Sequence, residues 1–385
     1  MSLTARSVAI AATGETRMSA TGLGKTNLQL MAEASRQALD SIGMPKEEIQ
    51  GVFVGTTAAQ YQFMIADALA SYLGIRPRSA AQMVQGGTTP TIMVGHAAAM
   101  IEAGLADNIL ITYASSQMSQ MDRGGVLGRQ AGVYTQYEIP WGMLAATAYG
   151  MQAQRHMYEY GTTSAQLARF AVVCRQHALL HPNAQMKTPI TVEDVLASRM
   201  ISSPFHLLDI CLIGDGGGAV IVSSAKSARR YNPQPAYLLG YGEYHHRGNL
   251  TRMGGEATSS GQGVCGRAAM EMAGITPKDV DVVELYDDFT MMPMIMMEDL
   301  GFCPKGQCGP FVENTDLGIT GDLPTNTFGG MLSHGNTVGF GHLVEGARQV
   351  MGQAGPTQVP DAEVALVAGL GGIGFSSNAT VILGR

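Results

Sequence analysis

Apolar residues recur along this chain in two rhythms. Short β-rich runs at 7–12, 51–56, 80–84 and 108–114 read as strands. Between them, 26–42 carries helical spacing (Leu28, Met31, Ala32, Ala38, Leu39, Ile42), as do 63–73 and 91–103. These helices stop at Gly43, Gly74 and Gly104, where a left-handed cap residue ends a helix at least cost. The resulting βαβαβαβ order predicts a parallel sheet covered on both faces. Beyond a long middle stretch, 217–224, 236–241, 280–285, 363–368 and 378–383 read as strands. Residues 260–273, 291–300 and 342–351 read as helices.

One pattern occurs twice. GMPKEEIQGVFV at 43–54 parallels GITPKDVDVVEL at 274–285, and the helices that follow end in Leu73-Gly74 and Leu300-Gly301. The same order of elements on both sides predicts a duplication. The expected division is an N-terminal half of 1–114 plus 216–235, an inserted segment at 115–215 and a C-terminal half of 236–385. Such an insertion is expected to cap a site at the carboxyl ends of the strands.

Composition narrows the class. Hydrophobic residues make up 45% of the 385 and charged residues 14%, enough for a large core. The net charge of −7 argues against a nucleic-acid partner. No apolar run approaches the roughly 20 residues of a membrane span, and the opening stretch carries no secretory h-region. The five cysteines, 174, 211, 265, 303 and 308, are odd in number and scattered. They form no disulfide framework and predict a reducing, cytoplasmic setting. No metal is expected; Tyr244-His245-His246 lacks partners at ligand spacing. The 25 methionines, several of them in 291–297, suggest adaptable apolar packing or the lining of a roomy acyl pocket.

Four loops carry the candidate chemistry. Gln85-Gly86-Gly87-Thr88-Thr89 joins a strand to a helix, where unpaired amides can hold an oxyanion or merely form a capped turn. Tyr286-Asp287-Asp288-Phe289-Thr290 sits at a strand's carboxyl end, as helix cap or as acid–base site. Residues 326–337 form a long Gly-rich loop with His334 as candidate base and Asn336 as donor, leading into His342. Gly369–Gly374 follows a buried strand and brings Gly371 and Gly372 to a close approach or a hairpin turn.

Taken together, the four loops resemble those of the thiolase superfamily, over nearly the whole chain. The likeness is strongest in YDDFT, EDLGFCPKGQCGPFVE, LPTNTFGGMLSHGN, EVALVAGLGGIGF and the closing VILGR, which are similar to the sterol-carrier-protein-X, or nonspecific lipid-transfer, type. The resemblance implies an α/β thiolase fold: duplicated βαβαβαββ halves in a five-layered αβαβα core with an inserted loop domain. It also implies a homodimer and a coenzyme A thioester as substrate, with no tightly bound cofactor.

The chain departs from the family in its chemistry. The nucleophilic Cys position falls at Gly87, the Gly-His-Pro loop reads Gly335-Asn336-Thr337, the Asn of Asn-Glu-Ala-Phe corresponds to Tyr286, and the second Cys falls at about Ala368. No cysteine is expected in a catalytic loop. The steroid side-chain aldolases share these losses, although a Tyr is expected where Asn336 stands. They imply retro-aldol cleavage of a β-hydroxyacyl-CoA beside a small OB-fold partner of the DUF35 type.

The catalytic set expected is Tyr286, His334, Asn336 and Asp287, with either Tyr286 or His334 as the base. Gly86, Gly87, Thr88, Gly371, Gly372 and His342 are expected to bind the oxyanion or substrate. The alternatives are an acyltransferase with an atypical or partner-supplied nucleophile and a non-catalytic acyl-CoA- or lipid-binding subunit.

Overall fold

The computed structural model describes residues 6–56, 62–120, 136–142, 144–246 and 256–385. Parts of the expected halves and of the expected insertion lie outside them. Among the described residues the strands are β1 (Val8–Glu15), β2 (Gly51–Gly55), β3 (Ser79–Met83), β4 (Asn108–Ser116), β5 (Met200–Ser202), β6 (Phe205–His206), β7 (Asp215–Ser224), β8 (Ala236–His245), β9 (Val282–Leu285), β10 (Val364–Gly371) and β11 (Ser377–Gly384). The helices are α1 (Asn27–Ser41), α2 (Ile65–Leu73), α3 (Thr89–Glu102), α4 (Gln117–Gln120), α5 (Ala145–Tyr160), α6 (Ser164–Leu180), α7 (Val192–Ala197), α8 (Ala225–Tyr231), α9 (Gln262–Ala273), α10 (Met291–Leu300), α11 (Cys308–Asn314) and α12 (Phe340–Met351).

Nine strands form one sheet in the order β3-β2-β4-β7-β1-β8-β11-β10-β9. Its two halves meet at a narrow seam, where β1 pairs with β8 only through Ala9–Tyr237 and Ile10–Ala236. The apolar α3 and α12 are almost wholly buried. Both pack against strands of each half: α3 on β4, β7, β10 and β11, and α12 on β1, β7, β9 and β10. They form the middle layer. On the outside, α1 and α2 cover one half-sheet, while α9, with α10 packed on it, covers the other. That is the five-layered arrangement of the expected fold.

The sheet is mixed, which corrects the expectation of a parallel one. β2 runs parallel to β3 and β4, and β9 to β10. However, β7 returns antiparallel between β4 and β1, and β11 folds back as a hairpin on β10. A short turn can only join antiparallel neighbours.

The repeat seen in the sequence is present in the backbone. Gly43 and Gly274 follow their helices with φ of 62° and 69°, and Gly74 and Gly301 cap theirs at 71° and 86°. Lys46–Glu48 and Pro277–Asp279 each form a single 3-10 turn before their strand. The methionines of α10 are fully buried and pack in the core of the C-terminal half. No described helix is long and apolar enough to cross a membrane.

Candidate active site

β9 ends at Leu285, and Asn326 fixes where it ends. The Asn326 side chain accepts from the Leu285 amide at 2.7 Å and donates to the Leu285 carbonyl at 2.9 Å, as a neighbouring strand would. The chain then leaves the sheet as Tyr286-Asp287-Asp288. All three side chains are buried, but they go to two different places.

Asp287 turns toward the 326–335 segment. Its Oδ1 accepts from the Met331 amide at 2.8 Å, inside a π-helical turn over Gly330–His334. His342 stands between two carboxylates, Nε2 at 3.0 Å from Asp287 Oδ1 and Nδ1 at 3.2 Å from Glu284 Oε2. Burial works against charge on this ring, but Asp287 and Glu284 raise its pKa to about 9, making it an imidazolium at neutral pH. Thr327 extends the network, its amide donating to Glu284 Oε1 at 2.9 Å. From the far side α6 holds the same segment, with Arg175 donating to Ser333 Oγ at 2.9 Å.

Tyr286 turns the other way, onto the N-terminus of α3. A Cβ on Gly87 would fall 2.0 Å from a ring carbon of Tyr286 and 2.4 Å from the Leu370 carbonyl oxygen. The ring therefore occupies the volume that any side chain at position 87 would need. A Cβ on Gly86 would lie 3.0 Å from Gly371 Cα and 3.1 Å from the Gly372 nitrogen, and one on Gly339 would lie 2.6 Å from the Gly87 carbonyl. The loops carrying Gly86, Tyr286, Asn336 and Gly371 thus meet around one point.

Asp288 joins Tyr286 there. Apart from burial, its carboxyl is the leading influence on Tyr286, on Tyr149 of α5 and on Cys211. Asn336 Nδ2 donates to Cys211 Sγ at 3.2 Å, the Cys211 amide donates to the Asp288 carbonyl at 2.8 Å, and the Tyr149 hydroxyl donates to the Gly372 carbonyl at 3.0 Å. Burial, then Asp288, pushes the Tyr286 phenol well above its ordinary range. It is a proton donor at neutral pH, not a base. Burial, then Asp288 and Asp287, pushes the Cys211 thiol up, which leaves little thiolate.

The structure brings together Tyr286, Asn336, Gly86, Gly87, Gly371 and Gly372, and it gives His334, Asp287, His342 and Thr88 other surroundings than expected. His334 is fully buried against Glu15, His181 and Phe328, away from the Tyr286 loop, and burial drives its pKa down to about 3. Asp287 and His342 face each other, with Glu284 and the Met331 amide as their further neighbours. The Thr88 hydroxyl is taken up by the Gln85 carbonyl at 2.6 Å and lies 2.7 Å from Ser377 Oγ, so only its backbone faces the site. As expected, no cysteine lies in the four loops, but Cys211 packs beside Asn336 and Asp288. Cys211 comes from the segment before β7, far from the four loops in sequence. Asp288, Tyr149 and Cys211 were the residues that sequence reasoning missed.

Among the described residues, two buried clusters have ligand atoms close enough for a metal: Glu15, His181 and His334, and His156, Glu298 and Cys308. Each already holds an internal cation. Arg348 lies 3.2 Å from Glu15, and Lys305 lies 3.1 Å from Glu298.

Residues 242–385 match the family model of thiolase C-terminal domain-like proteins. The chain is 32% identical over 366 residues to a steroid side-chain-cleaving aldolase of Thermomonospora curvata, covering 91% of this chain and 92% of that protein. It is 29% identical over 357 residues to an acetyl-CoA acetyltransferase of Methanothermobacter thermautotrophicus, covering 90% and 91%. It is also similar to a solved structure described as an Ltp2-ChsH2(DUF35) aldolase, with a TM-score of 0.89 and 31% identity over 100% of this chain and 99% of that one.

Proposed function

Because the chain belongs to the thiolase superfamily, on the sterol-carrier-protein-like branch that includes the steroid side-chain aldolases, we propose that it is an acyl-CoA carbon–carbon lyase. It cleaves a β-hydroxyacyl-CoA by retro-aldol chemistry, together with a small OB-fold partner of the DUF35 type. One observation carries this reading beyond the relatives: a side chain at Gly87, the position that by resemblance corresponds to the thiolase nucleophile, would collide with the Tyr286 ring.

A retro-aldol needs no covalent intermediate. The β-hydroxyl loses its proton, its electrons form the new carbonyl, and the broken Cα–Cβ bond leaves an enolate on the thioester. The enolate oxygen needs donors. The α3 N-terminus supplies backbone amides near Gly87 and Thr88, the phenol of Tyr286 remains protonated, and the amide of Asn336 lies beside both loops. Asn336 turns from the weakly accepting Cys211 sulfur to the stronger oxyanion. The Gly371-Gly372 turn, braced by Tyr149, forms the opposite wall. The division into 1–114 plus 216–235, 115–215 and 236–385 belongs to the same proposal, with 115–215 contributing Tyr149 and Cys211. So does a homodimer, for which β3 offers an edge strand.

Acyl transfer through a cysteine is the second reading, favoured by the place of Cys211 in the pocket. Its raised pKa opposes that role.

The test is incubation of the protein, with and without an OB-fold partner, with a panel of β-hydroxyacyl-CoA and β-ketoacyl-CoA esters. Release of a ketone or aldehyde plus a shortened acyl-CoA, without added coenzyme A, is expected. Cleavage that requires coenzyme A and leaves an acyl group on Cys211 would favour the second reading.

A further inference from the structure

Resting on the lyase reading, we infer that Asp288 is a catalytic residue: its unpartnered Oδ1, in the pocket beside Tyr286, Tyr149 and Cys211, takes the proton of the β-hydroxyl and returns it to the α-carbon.

The contrast with its neighbour is the first support. The Asp287 carboxylate is held by the Met331 amide and the His342 ring. Asp288 Oδ1 is buried and has no hydrogen-bond partner among the described residues. Leaving a buried acceptor unmet costs about 1–3 kcal/mol, so it is an atom to be matched by something that enters the pocket.

Elimination is the second support. The lyase needs a base. Tyr286 remains protonated, the Asp287 oxygens are occupied, and His334 lies in the Glu15–His181 cluster. Among the described residues, Asp288 is the carboxyl that lies next to the Gly87 loop, through Tyr286, and to Asn336, through Cys211.

The chemistry balances on one carboxyl. Retro-aldol cleavage moves a single proton from oxygen to the α-carbon. The O–H bonding pair becomes the second bond of the new carbonyl. The Cα–Cβ pair passes into the enolate, and that pair then forms Cα–H with the proton held on Asp288. The carboxylate is regenerated, and no oxidant, reductant or free coenzyme A is consumed.

The surroundings tune this group. The titratable side chains facing it are Tyr286 and Asp287 from its own segment, Tyr149 from α5 and Cys211 from the segment before β7. Burial, then Asp287, pushes the Asp288 carboxyl well above the ordinary carboxylate range. Because the base must be ionised, kcat/KM is expected to rise with pH through an inflection well above that range.

The test uses the full chain with its OB-fold partner, comparing wild type with Asp288→Asn and Asp288→Glu. Two rates are read: cleavage of the β-hydroxyacyl-CoA panel, and deuterium uptake from D2O at the α-carbon of acetyl-CoA and butyryl-CoA. Asp288→Asn is expected to lower both by about 10²–10⁴-fold with KM changed less than about threefold, and to abolish the acidic limb of the pH profile. Asp288→Glu is expected to recover part of both rates, with the limb shifted.

Exchange by Asp288→Asn within about threefold of wild type would overturn the inference. If Asp288→Asn fails to fold, the limb of Asp288→Glu decides: a shifted limb supports the inference and an unshifted one overturns it. A wild type that neither cleaves nor exchanges any ester would sink the lyase reading itself, and the inference with it. That outcome is distinct from an active wild type matched by an active Asp288→Asn.

Discussion

Asp287 and Asp288 are consecutive, both buried and both carboxyls, yet they serve different regions of the molecule. On one side Asp287 and Glu284 flank the His342 ring, and Thr327 donates to Glu284. On the other, Tyr286, Asp288, Cys211 and Asn336 surround a point crowded by glycines, with an unpartnered oxygen among them. A buried network with its partners in place stabilises and positions the backbone. A buried cluster with unmet groups retains the capacity to bind and react. Burial alone does not separate the two carboxyls; their partners do, since Asp287 Oδ1 meets the Met331 amide and the His342 ring while Asp288 Oδ1 has no hydrogen-bond partner among the described residues.

Tyr286→Phe should break the open side hardest. Losing the phenolic donor is expected to cut cleavage by about 10²–10⁴-fold with little change in melting temperature, as measured by steady-state kinetics and thermal melts. Gly87→Cys should follow. Its Cβ collides with the Tyr286 ring, so cleavage should fall at least about tenfold, by the same assay, without coenzyme A-dependent thiolysis appearing.

On the closed side, His342→Gln leaves Asp287 and Glu284 facing each other without their cation. Denaturant titration should show a loss of about 3–5 kcal/mol.

The pH dependence of stability sharpens the same contrast. His342, raised to about 9, contributes stability that is complete below 6.5 and lost as pH rises through 9. His334, lowered to about 3, and Glu15, lowered to about 2, act in the other direction. His334 costs stability as pH falls from 6.5 toward 3, and Glu15 as it falls from 4.5 toward 2. Melting temperature is therefore expected to peak near neutrality and to drop toward both pH 4 and pH 9.5. The smallest effect expected is that of Cys211→Ser, a change of a few-fold in rate with no acyl adduct in wild type, read by intact-mass spectrometry.

Much of the fold was legible because it is local. Helical spacing, the glycine stops and the twice-used Pro-Lys turn all survive in the backbone. The direction of β7 was not legible, because it is set by how the chain returns after the middle segment. At the site, glycine at 87 and tyrosine at 286 could be read as a lost nucleophile, but not as one replacing the other in the same space. The roles of His334 and His342 were out of reach. Both lie in a Gly-rich stretch, and their fates depend on Glu15, some 300 residues away in sequence, and on Glu284 and Asp287. Asp288 was passed over for Asp287 because the facing of a side chain just past a strand end is decided by the segments that pack on it.

The central claim is that the open side carries the chemistry and the closed side the structure. The most direct measurement is the cleavage rate and the melting temperature of Asp287→Asn and Asp288→Asn, side by side. Asp288→Asn should keep the wild-type melting temperature and lose the rate, while Asp287→Asn should lose melting temperature first. An Asp288→Asn enzyme that melts early yet cleaves at the wild-type rate would contradict the claim.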